Sequence, residues 1–234
     1  MRTAVGVAAL SAILVGCGAH EPRPGNETTT PPHDPAERAV RIETSGCGFA
    51  PDRTGSGVAI GDGLVVTVAH LVARADKIEA VVGNRAAVEA TVAAVDLDRD
   101  LAVLRFTPDG IPVLEMSSDL AAIGTGGRIV GAASSGTVPF EVEEVVNVSI
   151  EEILGTDRHS RLGYKLSAAT TTGDSGAGAY DSDNKLIGIV FAIDEAGEST
   201  WITSSAEIDD FIAAHRGDDT PIVCDTASSQ LDLP

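Results

Sequence analysis

Three short stretches carry residue types that can turn a hydroxyl into a nucleophile. A histidine ends the β-branched run Val66-Thr67-Val68-Ala69-His70, an acid opens the apolar run Asp100-Leu101-Ala102-Val103-Leu104, and a serine lies between glycines in Gly173-Asp174-Ser175-Gly176. A serine hydroxyl is a weak nucleophile at neutral pH until a neighbouring base accepts its proton. Histidine suits that task because its ordinary pKa lies near the working pH. A carboxylate behind the imidazole fixes the tautomer that leaves the other ring nitrogen facing the serine. His70, Asp100 and Ser175 are thus the candidate base, orienting acid and nucleophile of a hydrolase.

Taken singly, these residues have plainer readings. A lone histidine is more often structural or exposed, Asp96, Asp98 and Asp100 read as a solvated loop, and Ser175 reads as a turn serine. Their conjunction favours catalysis. Intervals of 30 and 75 residues separate His70 from Asp100 and Asp100 from Ser175, enough chain to place the first two in one substructure and the serine in another.

The elements that must position them are strands. Val- and Ile-rich runs at residues 57–60, 64–69, 77–82, 87–96, 101–106, 128–133, 140–150, 163–166, 178–181, 186–193 and 200–203 are separated by turn signals such as Gly61-Asp62-Gly63, Gly83-Asn84 and Asp183-Asn184. This is the pattern of antiparallel sheets. One helix is predicted late in the chain. Ser204-Ser205-Ala206-Glu207 has capping-box spacing, Ile208, Phe211 and Ile212 share a helical face, and Gly217 follows a basic last turn. The fold class is all-β with a C-terminal helix.

In the order His, Asp, Ser, the three motifs resemble those of trypsin/chymotrypsin-like serine proteases, nearest to bacterial HtrA-type enzymes and actinobacterial periplasmic serine proteases. Gly55-Ser56-Gly57-Val58 is similar to the glycine-rich first strand of that group, and the likeness runs over residues 46–216. It implies two packed six-stranded antiparallel β-barrels (chymotrypsin-like) with the site in the cleft between them. The implied activity is peptide hydrolysis through an acyl-enzyme on Ser175, with the N–H groups of Gly173 and Ser175 as the oxyanion hole. No cofactor and no metal are expected.

The chain departs from the family pattern in places. No cysteine follows His70, where Leu71 stands as in many bacterial members, and Ala177-Gly178 replaces the usual Gly-Pro after the serine motif. Asp174 pairs with a freed N-terminal amine in zymogen-activated relatives, and the sequence offers no evident activation site. The primary pocket would be shaped by Ala169-Thr170 and residues 190–193, where no acid stands at its base. That disfavours Lys or Arg and points to a small or medium apolar side chain. The alternative function is a catalytically inactive protease-fold protein that binds peptides or partner proteins. An esterase is disfavoured by the motif order and by the lack of a Gly-x-Ser-x-Gly elbow between strand and helix.

Composition and the N-terminus bound the setting. The 234 residues include 25 glycines, 43% are hydrophobic and only 3% aromatic, so the core must rest on Val, Ile, Leu and Ala. A net charge of -19 argues against nucleic-acid partners, whose phosphates need Lys and Arg. Arg2 precedes an apolar run from Ala4 to Val15, too short to span a bilayer. Its end, Leu14-Val15-Gly16-Cys17, resembles a bacterial lipobox, in which Cys17 is lipidated; an ordinary signal peptide with an incidental cysteine is the plainer reading. If Cys17 carries lipid, Cys47 and Cys224 remain as a candidate disulfide in an oxidising compartment, or as two unconnected thiols.

The expected organisation is a lipoprotein signal peptide over residues 1–16, a flexible Pro/Thr-rich linker over 17–45, a protease domain over 46–224 and a tail over 225–234. The chain is expected outside the cytoplasm, anchored to the bacterial cell membrane through Cys17, with protein or peptide substrates as its partners; its oligomeric state is not legible.

Overall fold

The computed structural model describes residues 34–106, 114–133, 136–151, 158–194 and 196–215. The folded part starts earlier than the sequence reading set it. Asp34 caps a short 3-10 helix, Pro35–Arg38, and the chain then enters β1, Ala39–Gly46. The reading of residues 17–45 as linker therefore ends too late. Its prolines masked a strand in which Val40 and Ile42 are fully buried, and Pro35 is itself suited to the first position of a helix.

Strands β1, β2 (Arg53–Gly61), β3 (Leu64–Thr67), β4 (Ala75–Val82), β5 (Val88–Glu89), β6 (Thr91–Asp96) and β7 (Leu101–Arg105) form one antiparallel sheet in the order β5-β4-β1-β2-β3-β7-β6. A single turn of helix, α1 (Ala69–Val72), follows β3. The predicted run 87–96 is split at Ala90, whose N–H donates to the Ile78 carbonyl at 2.9 Å. The chain changes partner there: β5 pairs with β4, and β6 pairs with β7.

The second half is a closed barrel. Its strands are β8 (Gly126–Val130), β9 (Thr137–Glu151), β10 (Arg158–Ser167), β11 (Gly178–Asp181), β12 (Leu186–Ile193) and β13 (Ser199–Ser204), in the order β10-β13-β12-β11-β8-β9. The all-β expectation holds, with one closed six-stranded barrel and a seven-stranded sheet curved as a half-barrel in place of two closed barrels. Both belong to one compact unit.

Aliphatic residues fill the interior, as the scarcity of aromatics requires. Val65, Val66, Leu101 and Leu104 are fully buried in the first half, and Ile129, Val142, Leu166 and Ile202 in the second. The predicted helix is α2, Ser205–Ala214, and it buries Ile208 and Phe211. Only half of its capping box forms. The Ser204 hydroxyl accepts from the Glu207 N–H, but the Glu207 carboxylate turns away to accept from the Leu162 N–H at 2.9 Å and from Arg99 Nε at 3.0 Å. A motif legible as a local cap thus ties α2 to β10 and to the turn before β7.

Candidate active site

His70 stands in α1, immediately after β3, where Ala69, Leu71 and Val72 are buried and leave the imidazole at the surface of the fold. Asp100 ends the turn between β6 and β7 with φ 52°, a left-handed conformation that Asp tolerates better than most residues. That turn brings both carboxylate oxygens to His70. Oδ1 accepts from the His70 backbone N–H at 2.8 Å, and Oδ2 lies 2.8 Å from Nδ1. A carboxylate only accepts, so Nδ1 carries a proton, and in the neutral ring Nε2 then holds the lone pair. The Asp100 carbonyl also accepts from the Ala69 N–H at 3.1 Å, and Arg53 Nη1 donates to the His70 carbonyl. Asp100 is 3% exposed, whereas the His70 side chain is 32% exposed. The ring is anchored at one end and open at the other.

Ser175 lies in the loop between β10 and β11, and the loop is latched from both halves of the molecule. From β2, the Ser56 N–H donates to the Ser175 carbonyl at 2.8 Å. From β12, the Val190 carbonyl accepts from the Gly176 N–H at 2.8 Å. Two glycines make the turn possible. Gly173 has φ 101° and Gly176 has φ 85°, values that cost other residues strain. A Cβ on Gly176 would also stand 1.9 Å from the Ser56 carbonyl oxygen.

Asp174 is fully buried. Its Oδ2 accepts from the Thr171 N–H at 2.9 Å, its own N–H donates to the Thr171 carbonyl at 3.0 Å, and its carbonyl accepts from the Ala177 N–H at 2.8 Å. In this chain the carboxylate braces its own loop from within. Among the described residues the N–H groups of Gly173 and Ser175 make no hydrogen bond.

Behind the site the two halves meet through charge. Arg99 bonds Asp96 at 2.8 Å and Glu207 at 3.0 Å. Arg161 on β10 is fully buried, its guanidinium carbon 4.0 Å from the centre of the Phe191 ring. Among the described residues its Nε, Nη1 and Nη2 have no hydrogen-bond partner. Burial pulls its pKa down to about 10, against the opposing pull of Asp100, Glu207 and Asp96. Neither Arg161 nor Ser56 stood out as a site residue in the sequence, and no spacing signal marks them. Of the predicted site residues, His70 and Asp100 are in contact, and Gly173 and Ser175 share one loop. Cys47 lies in the turn after β1, its N–H donating to the Arg74 carbonyl at 2.8 Å. Cys17 and Cys224 lie outside the described residues.

Residues 55–189 match the Trypsin-like peptidase domain. The chain belongs to the trypsin-like peptidase family. Among curated proteins, this peptidase domain is 36% identical over 179 residues to Serine protease HTR4 of Rattus norvegicus, covering 71% of the chain and 35% of that protein. It is 29% identical over 160 residues to Serine protease Rv3671c of Mycobacterium tuberculosis, covering 66% of the chain and 40% of that protein. The chain therefore spans well under half the length of these relatives. A crystal structure of the Rv3671c protease in its active form superposes with a TM-score of 0.75 at 24% identity, over 81% of this chain and 85% of that one. At that identity the superposition speaks to the fold alone.

Proposed function

We propose that this trypsin-like peptidase is a serine endopeptidase in which Ser175 is the nucleophile, His70 the general base and acid, and Asp100 the residue that orients His70. The observation that carries the proposal is the two-point grip of Asp100 on His70, with both carboxylate oxygens at 2.8 Å, beside a serine loop whose two N–H donors are uncommitted. In the reaction, Ser175 Oγ bonds to the substrate carbonyl carbon while its proton passes to His70 Nε2. The carbonyl π pair moves onto oxygen, facing the N–H groups of Gly173 and Ser175. Collapse of this intermediate breaks the C–N bond, and His70 returns the proton to the departing amine. Water then repeats the sequence on the acyl-enzyme.

The substrates are proteins or peptides met outside the cytoplasm, with a small or medium apolar side chain in the primary pocket. The chain is a lipoprotein: Cys17 carries the lipid, the segment before it is the signal peptide, and Cys47 bridges Cys224. Supporting this setting are the lipobox-like end of the N-terminal run and the even cysteine count that remains once Cys17 is set aside.

Washed membranes from cells expressing the full chain are expected to digest casein. The Ser175→Ala chain should lose that activity, and Cys17→Ala should move it to the soluble fraction. Digestion that persists in Ser175→Ala overturns the catalytic assignment, and activity that stays with the membrane in Cys17→Ala overturns the anchor.

A further inference from the structure

We infer that Ser56 is a positioning residue for the oxyanion-binding turn, acting from the half of the molecule that does not contain the nucleophile. The inference rests on the reading of Ser175 as nucleophile. Ser56 is fully buried in β2, and both its hydroxyl and its backbone N–H reach the turn. Its hydroxyl donates to the Gly173 carbonyl at 3.0 Å and accepts from the Ala132 N–H at 3.1 Å. The direction is forced at both ends, because a carbonyl only accepts and an amide N–H only donates. Its backbone N–H donates to the Ser175 carbonyl at 2.8 Å, and its carbonyl accepts from the Thr67 hydroxyl at 2.7 Å.

The consequence follows peptide by peptide. Gly173 is the flexible point of the turn, since glycine crosses between φ regions at little cost. The peptide that follows it is held at both ends, by Ser56 Oγ at the carbonyl and by Thr171 at the Asp174 N–H. The next peptide is held through the Asp174 carbonyl by Ala177, and the one after through the Ser175 carbonyl by Ser56 again. With those planes fixed, the Ser175 N–H, carried by the middle peptide of the three, is aimed without being bonded itself. Pre-aligned donors of this kind stabilise the transition state more than the ground state. Ser56 touches no reacting atom and acts only through the turn. The Ala132 contact sets the hydroxyl between two segments of the closed barrel, so the turn's geometry is referenced to the barrel as well as to β2.

The test compares wild type, Ser56→Ala and Ser56→Cys in the full chain, using a peptide ester substrate and its thiono analogue, in which sulfur replaces the carbonyl oxygen. An aligned oxyanion hole discriminates sharply between the two. Ser56→Ala is expected to keep a cooperative melt and a KM within about threefold of wild type, to lose roughly tenfold in kcat, and to show a smaller oxo-to-thiono rate ratio. Ser56→Cys keeps the shape but donates more weakly and should fall between. A kcat and a rate ratio equal to wild type in both variants overturn the inference. Should Ser56→Ala not fold, Ser56→Cys alone decides it by the same ratio. A wild type that turns over neither ester defeats the nucleophile reading, and the Ser56 inference with it.

Discussion

At the scale of single residues, the site is governed by which groups can only accept. The Asp100 carboxylate accepts from both the backbone N–H and Nδ1 of His70, so one turn sets the position, tautomer and ring angle of the imidazole together. Asp100→Asn keeps the shape and an acceptor for the backbone N–H, but its amide cannot favour the same imidazole tautomer. The expected outcome is a loss of roughly 10³–10⁴-fold in kcat with a melting transition close to wild type. A stopped assay beside a thermal melt checks both, and near-normal turnover would show that Asp100 does not orient the base. Arg161 shows the opposite economy: a cation fully buried against Phe191, opposed by its desolvation and favoured by the carboxylates of Asp100, Glu207 and Asp96.

At the scale of elements, one of the two strands that latch the Ser175 loop is β12, and its far end is closed by Asp194. The Asp194 carboxylate accepts from the Ser199 N–H at 3.2 Å and from the Glu198 N–H at 2.8 Å, and these bonds hold its pKa below the usual carboxylate range. A depressed carboxylate contributes stability that is fully present above its unfolded pKa, about 4, and is lost as pH falls through its folded pKa. The β12–β13 turn is therefore expected to loosen in acid. Amide-exchange protection at Ser199, corrected for intrinsic rates, should fall below about pH 4, and Asp194→Asn should flatten that dependence. Protection unchanged across the window in wild type would contradict the account.

Much of this element pattern was legible because it is local. The turn pairs, the β-branched runs and the start of α2 depend on neighbours in sequence. β1 was missed because prolines and threonines just before it have the composition of a linker, while the partners that make it a strand, β2 and β4, come later in the chain. The split of the 87–96 run was hidden for the same reason, since it records which strand each half pairs with.

At the scale of the molecule, the proposed catalysis depends on joining two halves that the sequence describes separately. His70 and Asp100 come from the curved sheet and Ser175 from the closed barrel. The contacts that register them span long separations: Ser56 to Gly173 across 117 residues and Arg99 to Glu207 across 108. His70, Asp100 and Ser175 stood out as candidates because each is identified by its type within a short motif. Ser56, Arg161 and the redirected Glu207 were not, because their roles appear only when distant strands meet. The central claim, that this assembly activates Ser175, is tested most directly by the intact mass of the full chain after exposure to a fluorophosphonate probe. The account predicts a single adduct that maps to Ser175, is absent from Ser175→Ala and forms far more slowly in His70→Ala. An unmodified wild-type chain, or an adduct on another residue, would contradict it.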